Sequence, residues 1–108
     1  MEQLEKMKNP VQSDETVFYA GEVSGISQYD LKYVYHHLQP GTPVRLHPGN
    51  NGGIEVRYRG LKLGYVPGMP AHNLKKVIKR GFELKCRVTR VQKKKFLPIE
   101  ILTIKITD

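Results

Sequence analysis

The sequence contains one cysteine, Cys86, in 108 residues. That excludes an intrachain disulfide framework and any zinc site built from several thiolates. Long apolar runs are missing too: none approaches the ~20 residues that span a bilayer, so no membrane partner is expected. The opening MEQLEKMKNP holds no apolar h-region, so a cleaved secretion signal is not expected and the cytoplasm is the default location. No internal repeat or low-complexity segment breaks up the chain. Signatures of catalysis are equally scarce, with no P-loop, no G-x-S-x-G and no H-E-x-x-H. Asp30, Glu55, Glu83 and Glu100 are scattered, without the spacing of paired acid–base carboxylates. His36 and His37 are adjacent, so on a helix they point about 100° apart and do not share a face as metal ligands would. Cys86 falls mid-strand on an apolar face and reads as a packing residue, not a nucleophile. The expected protein is not an enzyme, and it needs no cofactor and no metal.

Acidic side chains are the scarce charged class, ten Asp and Glu against 18 Lys and Arg, for a net charge of +8. The imbalance is local. Residues 1–30 carry two basic and six acidic side chains, a net −4, while residues 31–108 carry 16 basic and four acidic, a net +12. A body this basic attracts polyanions, which makes nucleic acid the leading partner. Charge alone leaves DNA, RNA and an acidic protein open.

Residues 1–13 are polar, contain Pro10 and show no period; they read as a flexible N-terminal arm, leaving 14–108 as a single domain. Thr16 to Val23 is rich in β-branched and aromatic residues and predicts a strand, with Gly21 and Gly25 marking a bend. Asp30 offers a helix cap, and Leu31, Val34, Tyr35 and Leu38 follow at the spacing of one helical face up to Pro40-Gly41, a helix of about eight residues. From Thr42 the period becomes two. Val44 and Leu46, then Ile54, Val56 and Tyr58, then Leu61 and Leu63 alternate with polar residues in three strands of a meander. The turn sequence Pro48 to Gly53 separates the first two strands. A second helix is predicted over 71–80, with Leu74, Val77 and Ile78 as its apolar stripe and Gly81 as its stop. Phe82, Leu84, Cys86 and Val88 are expected to face inward on the next strand, Lys93 to Lys95 to form a hairpin tip, and Ile99 to Ile106 the last strand. The apolar phase shifts between Val88 and Val91 and between Ile101 and Leu102, which predicts a bulge. The expected fold is mainly β: a small six-stranded antiparallel barrel or curled sheet with two short helices.

In this arrangement Arg45, Arg57, Arg59 and Lys62 occupy the sheet face opposite the core, where guanidinium groups make good phosphate ligands. Single-strand binders add aromatic platforms to such a groove. Tyr29, Tyr33 and Tyr65 are the candidates, while Tyr19, Tyr35 and Tyr58 fall at core positions.

An ordered set of short motifs carries a further reading. These are Val23-Ser24-Gly25 followed by Tyr29-Asp30, Leu38-Gln39-Pro40-Gly41 with Val44 and Leu46, and Ile54-Glu55-Val56. Leu63-Gly64-Tyr65-Val66-Pro67 comes next, then Asn73, Leu74 and Gly81. Together they resemble the HIRAN domain family over most of the chain. The resemblance implies a six-stranded barrel that binds DNA, captures a single-stranded 3′ end by stacking bases on aromatics, and works beside a helicase or nuclease partner. At the family's end-binding positions this chain has Gln28, Tyr29 and Tyr65. Gln28 replaces an aromatic, and the shorter His47 to Gly53 loop offers only Asn50 or Asn51 in place of a tyrosine and an aspartate. The expected function is therefore nucleic-acid binding, with single-stranded DNA favoured over RNA. Tyr29, Tyr65, Gln28, Asn50 and Asn51 would hold the strand end, and Arg45, Arg57, Arg59 and Lys62 its phosphates. The alternative is a non-catalytic protein-interaction module that kept the barrel and lost end recognition.

Overall fold

A computed structural model describes residues 15–49, 52–94 and 97–108. The expected arm over 1–13, Asn50, Asn51 and Lys95 of the expected hairpin tip lie outside the described residues. Six strands form one antiparallel sheet: β1 (Val17–Glu22), β2 (Pro43–Pro48), β3 (Ile54–Tyr58), β4 (Leu61–Tyr65), β5 (Lys85–Lys94) and β6 (Leu97–Thr107), in the order β1-β6-β5-β2-β3-β4. Two helices, α1 (Leu31–Val34) and α2 (Gly68–Lys79), accompany it. This is the curled, mainly β architecture that the alternation predicted.

The curl has identifiable causes. Val88 pairs with Ile104 but Arg90 pairs with Thr103, so β5 carries an extra residue, which is the bulge predicted from the phase shift. A second slip, between Val56 and Arg57 on β3, bends the β3–β4 hairpin. The curl brings the far edges together just past β1. There the Ser24 N–H donates to the Tyr65 carbonyl at 2.8 Å and the Tyr65 N–H to the Ser24 carbonyl at 2.9 Å. Gly64 is required at this seam, because a Cβ there would run into the Ser24 carbonyl oxygen and Val23 Cγ1. Ile54, Val56, Leu63, Val88, Leu102, Ile104 and Ile106 fill the concave side, and Leu31, Val34, Ala71 and Leu74 from the helices cover it. Each fully buried Ile or Leu contributes about 1.5–3 kcal/mol.

Several local expectations are corrected. The predicted eight-residue helix is one α-turn, Leu31–Val34, tightening into a 3-10 turn over Tyr35–His37. Its buried residues are still Leu31, Val34 and Leu38. Asp30 makes no side-chain cap bond. Its carboxylate instead accepts the Lys62 backbone N–H at 3.3 Å while its own N–H donates to the Lys62 carbonyl at 2.9 Å, lashing the helix start to β4. Helix α2 starts earlier than expected, at Gly68, because Pro67 takes the cap position and Pro70 falls in the first turn, where its missing N–H costs nothing. It stops as predicted at Gly81, whose φ of +88° lets its N–H reach the Ile78 carbonyl. Phe82 does not face inward but is 57% exposed. The chain after α2 stays apart from β2, and β5 joins it only at Pro43↔Arg87 and Val44↔Cys86. Among the described residues no helix is long and apolar enough to cross a membrane.

Candidate functional site

The meander sets three of the four predicted cations in a row. Arg45 on β2 lies directly across from Arg57 on β3, and Arg57 directly across from Lys62 on β4. Like charges opposed across a ladder repel, and Glu55, two residues before Arg57 on the same face, answers that repulsion. Its carboxylate accepts Arg57 Nε at 2.8 Å, pairs with Arg57 Nη2 at 2.6 Å and lies 3.4 Å from Lys62 Nζ. Only 7% of Glu55 is exposed. Burial pushes its carboxyl pKa up, but the Arg57 hydrogen bond and charge, with the Lys62 charge, outweigh burial and hold it below the ordinary value. Lys62 is shifted upward, first by its hydrogen bond to Tyr65 and then, against desolvation, by the Glu55 charge. Both groups are charged at neutral pH.

The same lysine organises the tyrosines. The Ser24 seam fixes the Tyr65 backbone, and the Asp30–Lys62 lashing sets the preceding Tyr29 beside it. The two rings meet edge to face, with centroids 5.7 Å apart and planes at 70°. Lys62 Nζ sits 4.6 Å from the Tyr29 centroid and 5.0 Å from that of Tyr65, and donates to the Tyr65 hydroxyl at 3.1 Å. Gln28, at the end of the 3-10 turn Ile26–Gln28, is exposed and shares with Tyr29, Leu31 and Lys32 the lining of a small cavity of about 170 Å³.

Arg59 is not in the row. It forms the β3–β4 hairpin turn with Gly60, both at positive φ, +51° and +84°, between the paired Tyr58 and Leu61. Two positive φ values in a two-residue loop suit the sheet's twist but favour Asn-Gly, not Arg-Gly. Its guanidinium lies 5.1 Å from the centre of the Tyr58 ring. From there it joins Arg45 and Arg57 in lining an open groove of about 520 Å³, floored by Pro43, Val44 and Tyr58. Arg57 therefore belongs both to the groove and to the Glu55–Lys62–Tyr65 cluster, and the two regions form one surface. Among the described residues neither Arg45 nor Arg59 has an acidic partner. An open trough with three guanidinium groups beside paired tyrosines is chemically suited to anions that carry flat rings.

Six of the predicted residues thus gather here: Arg45, Arg57, Arg59, Lys62, Tyr29 and Tyr65. Tyr33 does not join them, being 61% exposed under the Lys32 ammonium. Asn50 and Asn51 lie outside the described residues. Sequence reasoning missed Glu55 as the group that ties two of the cations down; its i, i+2 spacing from Arg57 was the available signal. Cys86 is buried, and desolvation pushes its thiol up to about 12, so it is not a thiolate at neutral pH. Among the described residues no three His, Cys, Asp or Glu side chains converge on a metal position.

No protein-family profile matches the chain, and no curated protein matches its sequence. Its fold is similar to that of a protein from Lactobacillus plantarum whose crystal structure was determined by structural genomics. The TM-score is 0.65 and the identity 20%, over 87% of this chain and 97% of that one. At that identity the likeness speaks to the fold.

Proposed function

We propose that this protein is a non-catalytic, cytoplasmic nucleic-acid-binding module for single strands, DNA before RNA. Phosphates lie along Arg45, Arg57 and Arg59, and bases rest against Tyr29 and Tyr65. The observation that carries this reading is the connected surface on which the arginine groove runs, through Arg57 and Lys62, into the edge-to-face tyrosine pair. The Arg59 backbone supports it. A non-glycine side chain kept at φ +51°, where Asn or Gly is easier, points to a role for the side chain itself. The tyrosine pair occupies the two aromatic positions that match the HIRAN motifs. On the HIRAN-like reading it would receive a 3′ end, with strand processing left to a helicase or nuclease partner.

The test is fluorescence anisotropy with a labelled single-stranded DNA ten-mer, carrying a free or a 3′-phosphorylated end, across a salt series. Arg45 and Arg59 give two full phosphate contacts, and Arg57, part-neutralised by Glu55, adds less than a full third. The log–log salt slope on a single strand therefore lies between about −1.4 and −2, and doubling the salt weakens binding about three- to fourfold. Loss of binding on blocking the end supports 3′-end capture. Indifference to the end leaves a general phosphate-gripping module. No binding at low salt removes the reading. A protein-interaction role is the second reading, and it is favoured by the exposed Met69 and by Phe82, which borders an apolar groove with Leu46, Ile78 and Leu84. It predicts a co-purifying protein and no length-dependent oligonucleotide binding.

A further inference from the structure

At the end of the arginine groove away from Tyr29 and Tyr65, four side chains form a column. The His36 and His37 rings lie 4.2 Å apart, tilted by 40°. His37 is stacked over Tyr58 at 6.5 Å and 27°, and the Arg59 guanidinium also lies over the Tyr58 ring. Tyr58 is buried and holds the column in place, whereas both imidazoles are exposed. The column abuts the groove at three points, one of them Arg59 itself. Tyr58 lines it, and so does Thr42, whose hydroxyl donates to the His37 carbonyl at 3.5 Å and accepts the Gln39 N–H at 3.0 Å. Adjacent histidines on a turn would ordinarily splay apart. Here the two rings, both on the 3-10 turn Tyr35–His37, nevertheless approach each other.

We propose that His36 and His37, backed by Tyr58, are a second base-stacking platform, taking a nucleobase of the same strand whose phosphates lie on Arg45, Arg57 and Arg59. The inference rests on the nucleic-acid reading above and extends it from one aromatic site to two. Exposed imidazole rings backed by a buried phenol and set beside guanidinium groups are a surface on which unpaired bases stack, whatever their sequence. Tyr65 lies across from Glu55, and Tyr58 is three residues further along β3, so the two ring groups are rooted about 10 Å apart on opposite faces of that strand. A bound strand joins them by passing round the end of the β3–β4 hairpin, where Arg59 and Gly60 line the groove with Tyr58.

The test is a positional scan of a thymidine octamer with one 2-aminopurine moved along it, because the emission of that base reports stacking. In the wild-type protein two separate positions respond. In the His36→Ala/His37→Ala double variant one of them falls silent and affinity drops about tenfold, the scale of one lost stack, while the salt slope is unchanged. The His36→Phe/His37→Phe variant keeps both signals, and it carries the test if the alanine variant does not fold. If the octamer binds, weakens with Arg45→Ala and ignores both histidine variants, the second platform is refuted while the nucleic-acid reading stands. If the wild-type protein binds no octamer, both fall together.

Discussion

Replacing Glu55 with glutamine separates what the carboxylate does for the fold from what it withholds from a ligand. The change keeps the shape and removes one charge from a site where the Glu55 side chain is 9% exposed and Arg57 approaches it at 2.6 Å and 2.8 Å. A hydrogen bond to a charged group is worth about 1.5–3 kcal/mol when well buried. Arg57 is 35% exposed, so water screens part of that, and about 1–2 kcal/mol is the expected loss. For a protein of this size it appears as a fall in Tm of roughly 4–10 °C. Acid should remove the difference. The folded-state pKa of Glu55 lies below the ordinary 4.5, so its stabilisation is complete above that value and lost as pH falls through the lowered one. Wild type and Glu55→Gln should therefore converge in stability below pH 4.5, wild type losing what the variant never had.

Binding should move the other way. Without its carboxylate, Arg57 can give its whole fork to a phosphate, and the log–log salt slope should steepen by up to about 0.7 on single-stranded DNA. Thermal unfolding from pH 3 to 7 and anisotropy across a salt series read both effects on the same preparation. A Glu55→Gln protein as stable as wild type at pH 7, with an unchanged salt slope, would refute the assignment of Glu55 as the tether of the cation row.

Three other substitutions or reactions test separate parts of the structure. Arg59→Asn relieves a left-handed backbone that costs an ordinary residue about 1–2 kcal/mol, so Tm should rise by a few degrees while oligonucleotide affinity falls several-fold; unchanged affinity would remove Arg59 from the groove's function. Gly64→Ala drives a Cβ into the Ser24 carbonyl and should cost about 1–3 kcal/mol, with faster amide exchange at Ser24 and Tyr65; a variant of wild-type stability would mean that the seam yields easily. Cys86, with its thiol held up near 12 by burial, should resist Ellman's reagent at pH 8 and react at once in denaturant, and prompt native labelling would contradict its burial.

The strands were legible because alternation survives in any half-buried sheet. Ile54, Val56 and Tyr58 are buried where the pattern put them, and the phase shift at Val88 is the β5 bulge. What sequence pattern misses is competition between local and distant partners. Asp30 has the chemistry of a cap, but the Lys62 backbone claims its carboxylate. Phe82 has the phase of a core residue, yet β5 joins β2 too late to bury it. In the site, period two was enough to predict the row Arg45–Arg57–Lys62, since neighbouring strands must align their outward faces. It placed Arg59 in that row as well, because nothing in the pattern of Tyr58-Arg59-Gly60-Leu61 shows that the turn begins at Arg59 and not at Gly60. The meeting of Tyr29 with Tyr65 depends on the Ser24 seam, a contact 41 residues apart in sequence that no local period encodes.

The use made of the scarce acids bears on the proposed function. Arg87 and Lys105 face each other across β5 and β6, and Glu15 bridges them at 3.3 Å and 3.4 Å. Arg57 and Lys62 face each other across β3 and β4, and Glu55 bridges them at 2.6 Å and 3.4 Å. In both places a carboxylate is spent where like charges would push paired strands apart. Arg45 faces Arg57 in the same way, and Arg59 stands beside them, yet neither has such a carboxylate among the described residues. Their repulsion is left for something else to neutralise, in an open groove, on a chain segment with a net charge of +12. Solubility needs only a few net charges and does not require them to converge. Guanidinium groups that remain unpaired while their neighbours are compensated are what a polyanion site requires, because a bound phosphate relieves the repulsion and so gains more than it would from an isolated arginine.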